Sequence, residues 1–197
     1  YTERPSGLKV ECFVTGFPAF DAVEWVLHFT NTGKSDSRVL EQVKVVDLDM
    51  QAPAAGDFTL YYADGNHISK EDFHPRTTVL STTEPFRMAP EGGRSFFNLT
   101  APSGKEGVVV GIGWTGTWYA DLTKNGDRGA TLVSGMKTMR LYLHPDESIR
   151  TPSISLLFWN GDDRMAGHNR FRRFVLAHHT RKVDGQMQKY PLCSGFN

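Results

Sequence analysis

The chain has 197 residues, and its 22 basic side chains balance 22 acidic ones. A balance of this kind excludes any general electrostatic attraction to nucleic acid or to an anionic membrane surface. The length suits one large domain with a sizeable core, no apolar run approaches a membrane span, and no leader peptide is visible. The chain opens on Tyr1 rather than Met, which reads as trimming of a longer product.

Taken in chain order, the pattern predicts strands almost throughout. Val23, Trp25, Leu27 and Phe29 alternate with Glu24, Val26 and His28, which predicts a strand with one very apolar face. Asn31-Thr32-Gly33-Lys34 then turns the chain. Residues 39–48 read as a second strand whose apolar phase slips between Val45 and Val46, the signature of a bulge. Residues 58–62 form a short strand ending at Asp64-Gly65-Asn66, and 77–81 and 94–99 read as short or edge strands.

Residues 108–119 read as one long strand. Val108, Val110, Ile112, Trp114 and Trp118 share one face, while Val109, Gly111, Gly113, Thr115 and Thr117 leave the other nearly bare. Glycines at such positions let a backbone or ligand approach closely. Leu132 and Val133 lead to a turn at Gly135, 138–143 alternates around Met139, Leu141 and Leu143, and 154–159 is apolar on both faces, as a central strand should be. One helix is predicted over 163–178. It starts at Asn160-Gly161-Asp162-Asp163, and Phe171, Phe174, Val175 and His178 recur at helical spacing. The expectation is an all-β chain, a large antiparallel sandwich over 1–180 with one helix near its C-terminus. The polar residues 181–197 read as a linker.

Several motifs are weighed against plainer readings. Gly111-x-Gly113-x-x-Gly116 matches a dinucleotide-binding fingerprint, but strand formers follow it instead of a helix N-terminus, and Trp114 fills the space phosphates need. Glu71-Asp72, Asp121, Glu147 and Asp162-Asp163 all sit beside turns, where acids cap and solvate. The seven histidines show no zinc-binding spacing, and His178-His179 is placed to meet carbonyls at a helix end. No cofactor or metal is expected. Asn98-Leu99-Thr100 fits a glycosylation acceptor. Cys12 and Cys193 leave both a bridge and free thiols open. Trp25 and Trp159 read as core, whereas Trp118 and Tyr119 stay open between core and sugar stacking.

Ordered blocks along the chain then carry a resemblance. They include Ala22-Val23-Glu24-Trp25, Glu71-Asp72-Phe73-His74-Pro75, Gly92-Gly93-Arg94-Ser95 and the run from Gly111 to Trp118. Leu143-His144-Pro145-Asp146-Glu147 and Asn169-Arg170-Phe171-Arg172-Arg173-Phe174 complete them. Together they resemble the N-terminal domain of melibiase-type α-galactosidases, glycoside hydrolase family thirty-six.

The resemblance implies a β-supersandwich packed on a catalytic (β/α)₈ barrel that follows it and supplies both catalytic aspartates. Lys182-Val183-Asp184 fits the letters of the nucleophile motif but lies in the polar tail, so no catalytic residue is expected here. Trp118, Tyr119 and Asp72 are the candidates for a binding contribution. Arg94, Trp114, Arg150 and Arg173 are expected to be structural or interdomain. The implied partners are the barrel, a galactoside substrate and neighbouring protomers, without nucleic acid or membrane. A free-standing carbohydrate-binding module and a small sandwich enzyme are the alternatives.

Overall fold

The computed structural model describes residues 1–65, 69–90 and 95–187. Strands β1 (Leu8–Phe17) and β2 (Ala22–Asn31) form a hairpin across a 3₁₀ turn at Pro18–Phe20. Strands β3 (Leu40–Glu41), β4 (Lys44–Gln51), β5 (Thr59–Ala63), β6 (Pro75–Val79), β7 (Phe86–Met88) and β8 (Phe96–Thr100) follow. Then come β9 (Glu106–Gly113), β10 (Trp118–Asn125), β11 (Gly129–Met136), β12 (Arg140–Leu141), β13 (Ser148–Arg150) and β14 (Ser153–Asn160). Helix α1 (Arg164–His178) and a small hairpin, β15 (Lys182–Val183) with β16 (Gln186–Met187), close the described chain.

The larger sheet runs in the order β1-β2-β14-β9-β8-β5-β6, with β13 also paired to β2, and the facing sheet runs β4-β11-β10-β7. Their pairings are antiparallel. Two sheets with alternating side chains bury the inner faces against each other. That core holds Leu60, Phe97, Val108, Val110, Ile112, Ile154 and Leu156 from the larger sheet. Val46, Met88, Trp118, Ala120, Leu122 and Leu132 come from the smaller one. Trp25 adds a polar tie, its Nε1 donating to the Val45 carbonyl at 2.9 Å. A separate cluster around Phe29, Leu40 and Leu143 closes the end near β3 and β12.

Helix α1 covers the opposite, outer face of the larger sheet. Asp163 caps it, Oδ1 accepting from the Met165 N–H at 2.8 Å, as the turn chemistry predicts. Phe174 is buried against Val109, Leu157 and Trp159, with Phe17 and Phe20 beside it. The approach is close: a Cβ on Gly167 would stand 2.6 Å from the Trp159 indole. Nothing larger than glycine fits at that crossing.

The all-β sandwich with one helix matches the sequence expectation; the differences are local. Residues 108–119 are two strands in different sheets, β9 and β10, separated by a turn through Thr115 and Gly116. Side-chain parity survives the crossing, because Ile112 and Trp118 enter the shared core from opposite walls. Residues 39–48 also divide, at Gln42, whose φ is 54°. The phase slip is a bulge: Val46 faces Ser134 and Lys44 faces Gly135, leaving Val45 as the extra residue. Strand β8, expected as an edge or short strand, is short at five residues but internal, because β9 and β5 flank it.

Candidate functional site

The residues singled out from sequence do not converge on one place. Trp118 lies in the inter-sheet core with 1% of its surface exposed, so of the two readings left open it takes the core one, and its indole offers no face to a sugar. Tyr119 is half-buried, with the Arg87 guanidinium 5.1 Å from its ring centre. That arginine is held by Asp121 on the neighbouring strand. Asp72 sits in the turn before β6, its carboxylate accepting from the Ser69 N–H and hydroxyl at 3.4 Å.

Trp114 and Arg150 do meet: the guanidinium stands 5.5 Å from the indole centre, and Nη1 donates to the Thr151 carbonyl at 3.3 Å. A Cβ on Gly116 would lie 2.6 Å from Trp114 Nε1, and strand β10 rather than a helix follows, so the glycine fingerprint has no helix N-terminus to hold phosphate. Arg173 is exposed on α1, and Arg94 lies outside the described residues. Asn98 is fully buried on β8 and accepts from Trp159 Nε1 at 2.9 Å, which removes it from glycosylation in the folded chain.

The outer face of the larger sheet gathers chemistry that sequence spacing does not reveal. Glu24, Ser155, Gly111 and Phe96 stand side by side across β2, β14, β9 and β8. Ser153 pairs with Gly113 in the next row. Helix α1 lays Phe171 on Gly111, where a Cβ would be 2.9 Å from the ring. Beyond that contact a cleft of about 640 Å³ remains between helix and sheet.

At one rim, Glu24 Oε2 accepts from Ser155 Oγ at 2.8 Å and pairs with His179 Nε2 at 3.0 Å. His179 thus reaches a carboxylate across the cleft. The carbonyls at the helix end are met instead by Thr180, through Oγ1 to Val175, and by Lys182, through Nζ to Ala177. At the other rim, His168 Nε2 is buried without a hydrogen-bond partner among the described residues. Burial, seconded by Arg164, holds the His168 pKa below its ordinary 6.5 and keeps the ring neutral near pH 7. The order serine–glutamate–histidine cannot activate the serine, because the carboxylate stands between hydroxyl and imidazole. The sequence signal for the cleft was the bare glycine face of β9; Glu24 and Ser155 were hidden because they are distant in sequence.

A second cavity, about 430 Å³, includes Asp21, Glu106, Trp159 and Arg170. Asp21 is ion-paired with Arg170. Among the described residues no group of three or more histidine, cysteine, aspartate or glutamate side chains could hold a metal ion. No helix among them is long and apolar enough to cross a membrane.

Neither a protein-family model nor a curated protein sequence matches this chain. Solved structures do. The α-galactosidase from Lactobacillus brevis is 16% identical with a TM-score of 0.71, over 88% of this chain and 24% of its own. GH36 α-galactosidase AgaB from Geobacillus stearothermophilus is 17% identical with a TM-score of 0.65, over 81% of this chain and 23% of its own. The galactosidase domain of the α-galactosidase-sucrose kinase AgaSK gives 15%, 0.63, 78% and 22% in the same order. The chain therefore has the fold of a part of GH36 α-galactosidases and spans under a quarter of the length of those it matches.

Proposed function

We propose that this chain is the non-catalytic N-terminal domain of an α-galactosidase-like glycoside hydrolase, packing on and completing a catalytic (β/α)₈ barrel. One observation carries the reading: 88% of this chain overlays on only 24% of the Lactobacillus brevis α-galactosidase. A domain that is most of one chain and a minor part of the other supports placing the chemistry in the remainder. The carboxylates support the same view. Glycoside hydrolysis needs two carboxyl groups facing one bond. The helix cleft has Glu24 alone, tied to Ser155 and His179; the second cavity has Asp21 and Glu106, but Asp21 is held by Arg170, which leaves Glu106 without a free carboxylate partner there.

The purified chain should release no nitrophenol from an aryl α-galactoside. Release that disappears in Glu24→Gln or Glu106→Gln would establish a small sandwich enzyme instead. Trp114 and Arg150 take structural or interdomain roles on this reading, so Arg150→Lys in a full-length enzyme should lower thermal stability and spare turnover. Loss of turnover at unchanged stability would reassign Arg150.

A further inference from the structure

At the end of β9 and the start of β14, two rows of the outer face carry nothing larger than serine. Gly111 is opposite Ser155 and Gly113 is opposite Ser153. Only the first of these rows is needed for Phe171 to seat. At the second, the Ser153 hydroxyl lies over Gly113, and the cleft extends past it, bounded by Glu24 on one side and by Phe96 and His168 on the other. A largely apolar cleft of several hundred Å³ with a few converging polar groups is the profile of a small-molecule site.

The polar groups select the class. Glu24 receives both of its hydrogen bonds on Oε2, and a carboxylate has about four acceptor positions, so it has capacity left for hydroxyl donors. Ser153 and Ser155 add hydroxyls to the floor. His168 contributes its ring to the rim, with Nε2 closed off from the cleft. The Phe96 and Phe171 rings lie 5.7 Å apart at 33°, forming an aromatic wall, and Phe96 is 41% exposed. An anion would meet Glu24, and a cation would meet His179 and Arg172 on the cleft lining. We propose that this cleft binds one neutral pyranose unit, its hydroxyl edge toward Glu24 and the floor serines and its C–H face against Phe171 and Phe96. The cleft is formed by this chain's own residues.

The test is an amide NMR titration of the whole chain with methyl α-galactopyranoside and methyl α-glucopyranoside, each to about 50 mM, where a ligand of millimolar Kd saturates. Inorganic phosphate and glycerol serve as counter-probes. The expected result is a saturable shift at Gly111, Gly113 and Ser155 with at least one pyranoside. Glu24→Gln should weaken it about tenfold, and Leu176→Trp, which fills the cleft from an exposed helix position, should abolish it. Glu24→Gln also serves as the reporter if the tryptophan variant does not fold. Any of four results overturns the proposal: no saturable shift with either sugar, shifts that map away from the cleft, shifts that persist in folded Leu176→Trp, or equal shifts with phosphate or glycerol.

Discussion

At the scale of single residues, burial separates the two central tryptophans. Trp118 fills the core between the sheets, so Trp118→Ala empties a large aromatic site and should cost about 3–5 kcal/mol, read as a fall in the denaturant midpoint. Trp114 is half-buried under Arg150, and its truncation should cost clearly less. Equal losses for the two would mean that Trp114 is more enclosed than the fold places it.

His168 sets a pH dependence of definite sign. Its folded pKa lies below the ordinary 6.5, so the unfolded chain binds the proton more readily. That contribution is intact above about pH 6.5 and is lost as acidification proceeds from there toward the folded pKa. His144 acts oppositely. Its hydrogen bond to Asp36 raises the pKa, so its contribution is present below 6.5 and fades as pH rises through the raised value. Replacing His168 with Gln should flatten the acid limb of the stability profile, and a limb of unchanged slope would remove His168 as its cause. Neither histidine was legible in the sequence as a titrating group, since the causes are burial, seconded by Arg164, for one and a side chain 108 positions away for the other.

At the scale of elements, alternation found most strands and parity placed Val108, Val110, Ile112 and Trp118 in one core, but it could not see the chain change sheets at Thr115 and Gly116. Two runs of strand-forming residues around a tight turn have the same period as one long strand. Strand β1 was hidden for another reason. Leu8 and Val10 serve the end cluster, while Phe17 on the opposite face serves the helix cluster, so no single apolar face appears. The helix was legible because its cap and its aromatic spacing agree. Asp163→Ala should therefore cost about 1 kcal/mol, the usual value for a lost N-cap. Gly111→Leu tests the seat of α1, because any Cβ there meets Phe171. The expected outcome is faster amide exchange along α1 with the inter-sheet core still protected. Uniform protection throughout would mean that the helix can ride over a larger floor.

At the scale of the molecule, the two main clusters share strands. In β9, Val108 and Val110 face the inter-sheet core while Val109 faces the helix cluster. In β14, Leu156 faces the core while Leu157 and Trp159 face the helix. A strand cannot melt on one face alone, so separating the sheets also removes the wall that Phe174 packs against. The chain should unfold in one cooperative transition, with equal calorimetric and van't Hoff enthalpies. Phe174→Ala makes this sharp. Phe174 is fully buried beneath α1, and its loss should cost about 3–5 kcal/mol. For a domain of this size, each kcal/mol moves Tm by roughly 2–4 °C, so the whole transition should drop by about 6–20 °C without dividing. If the variant instead shows an early helix transition and an unshifted sheet transition, α1 is an appendage on an independent sandwich. An undivided shift would show that the helix, and the cleft beneath it, are held with the stability of the entire core.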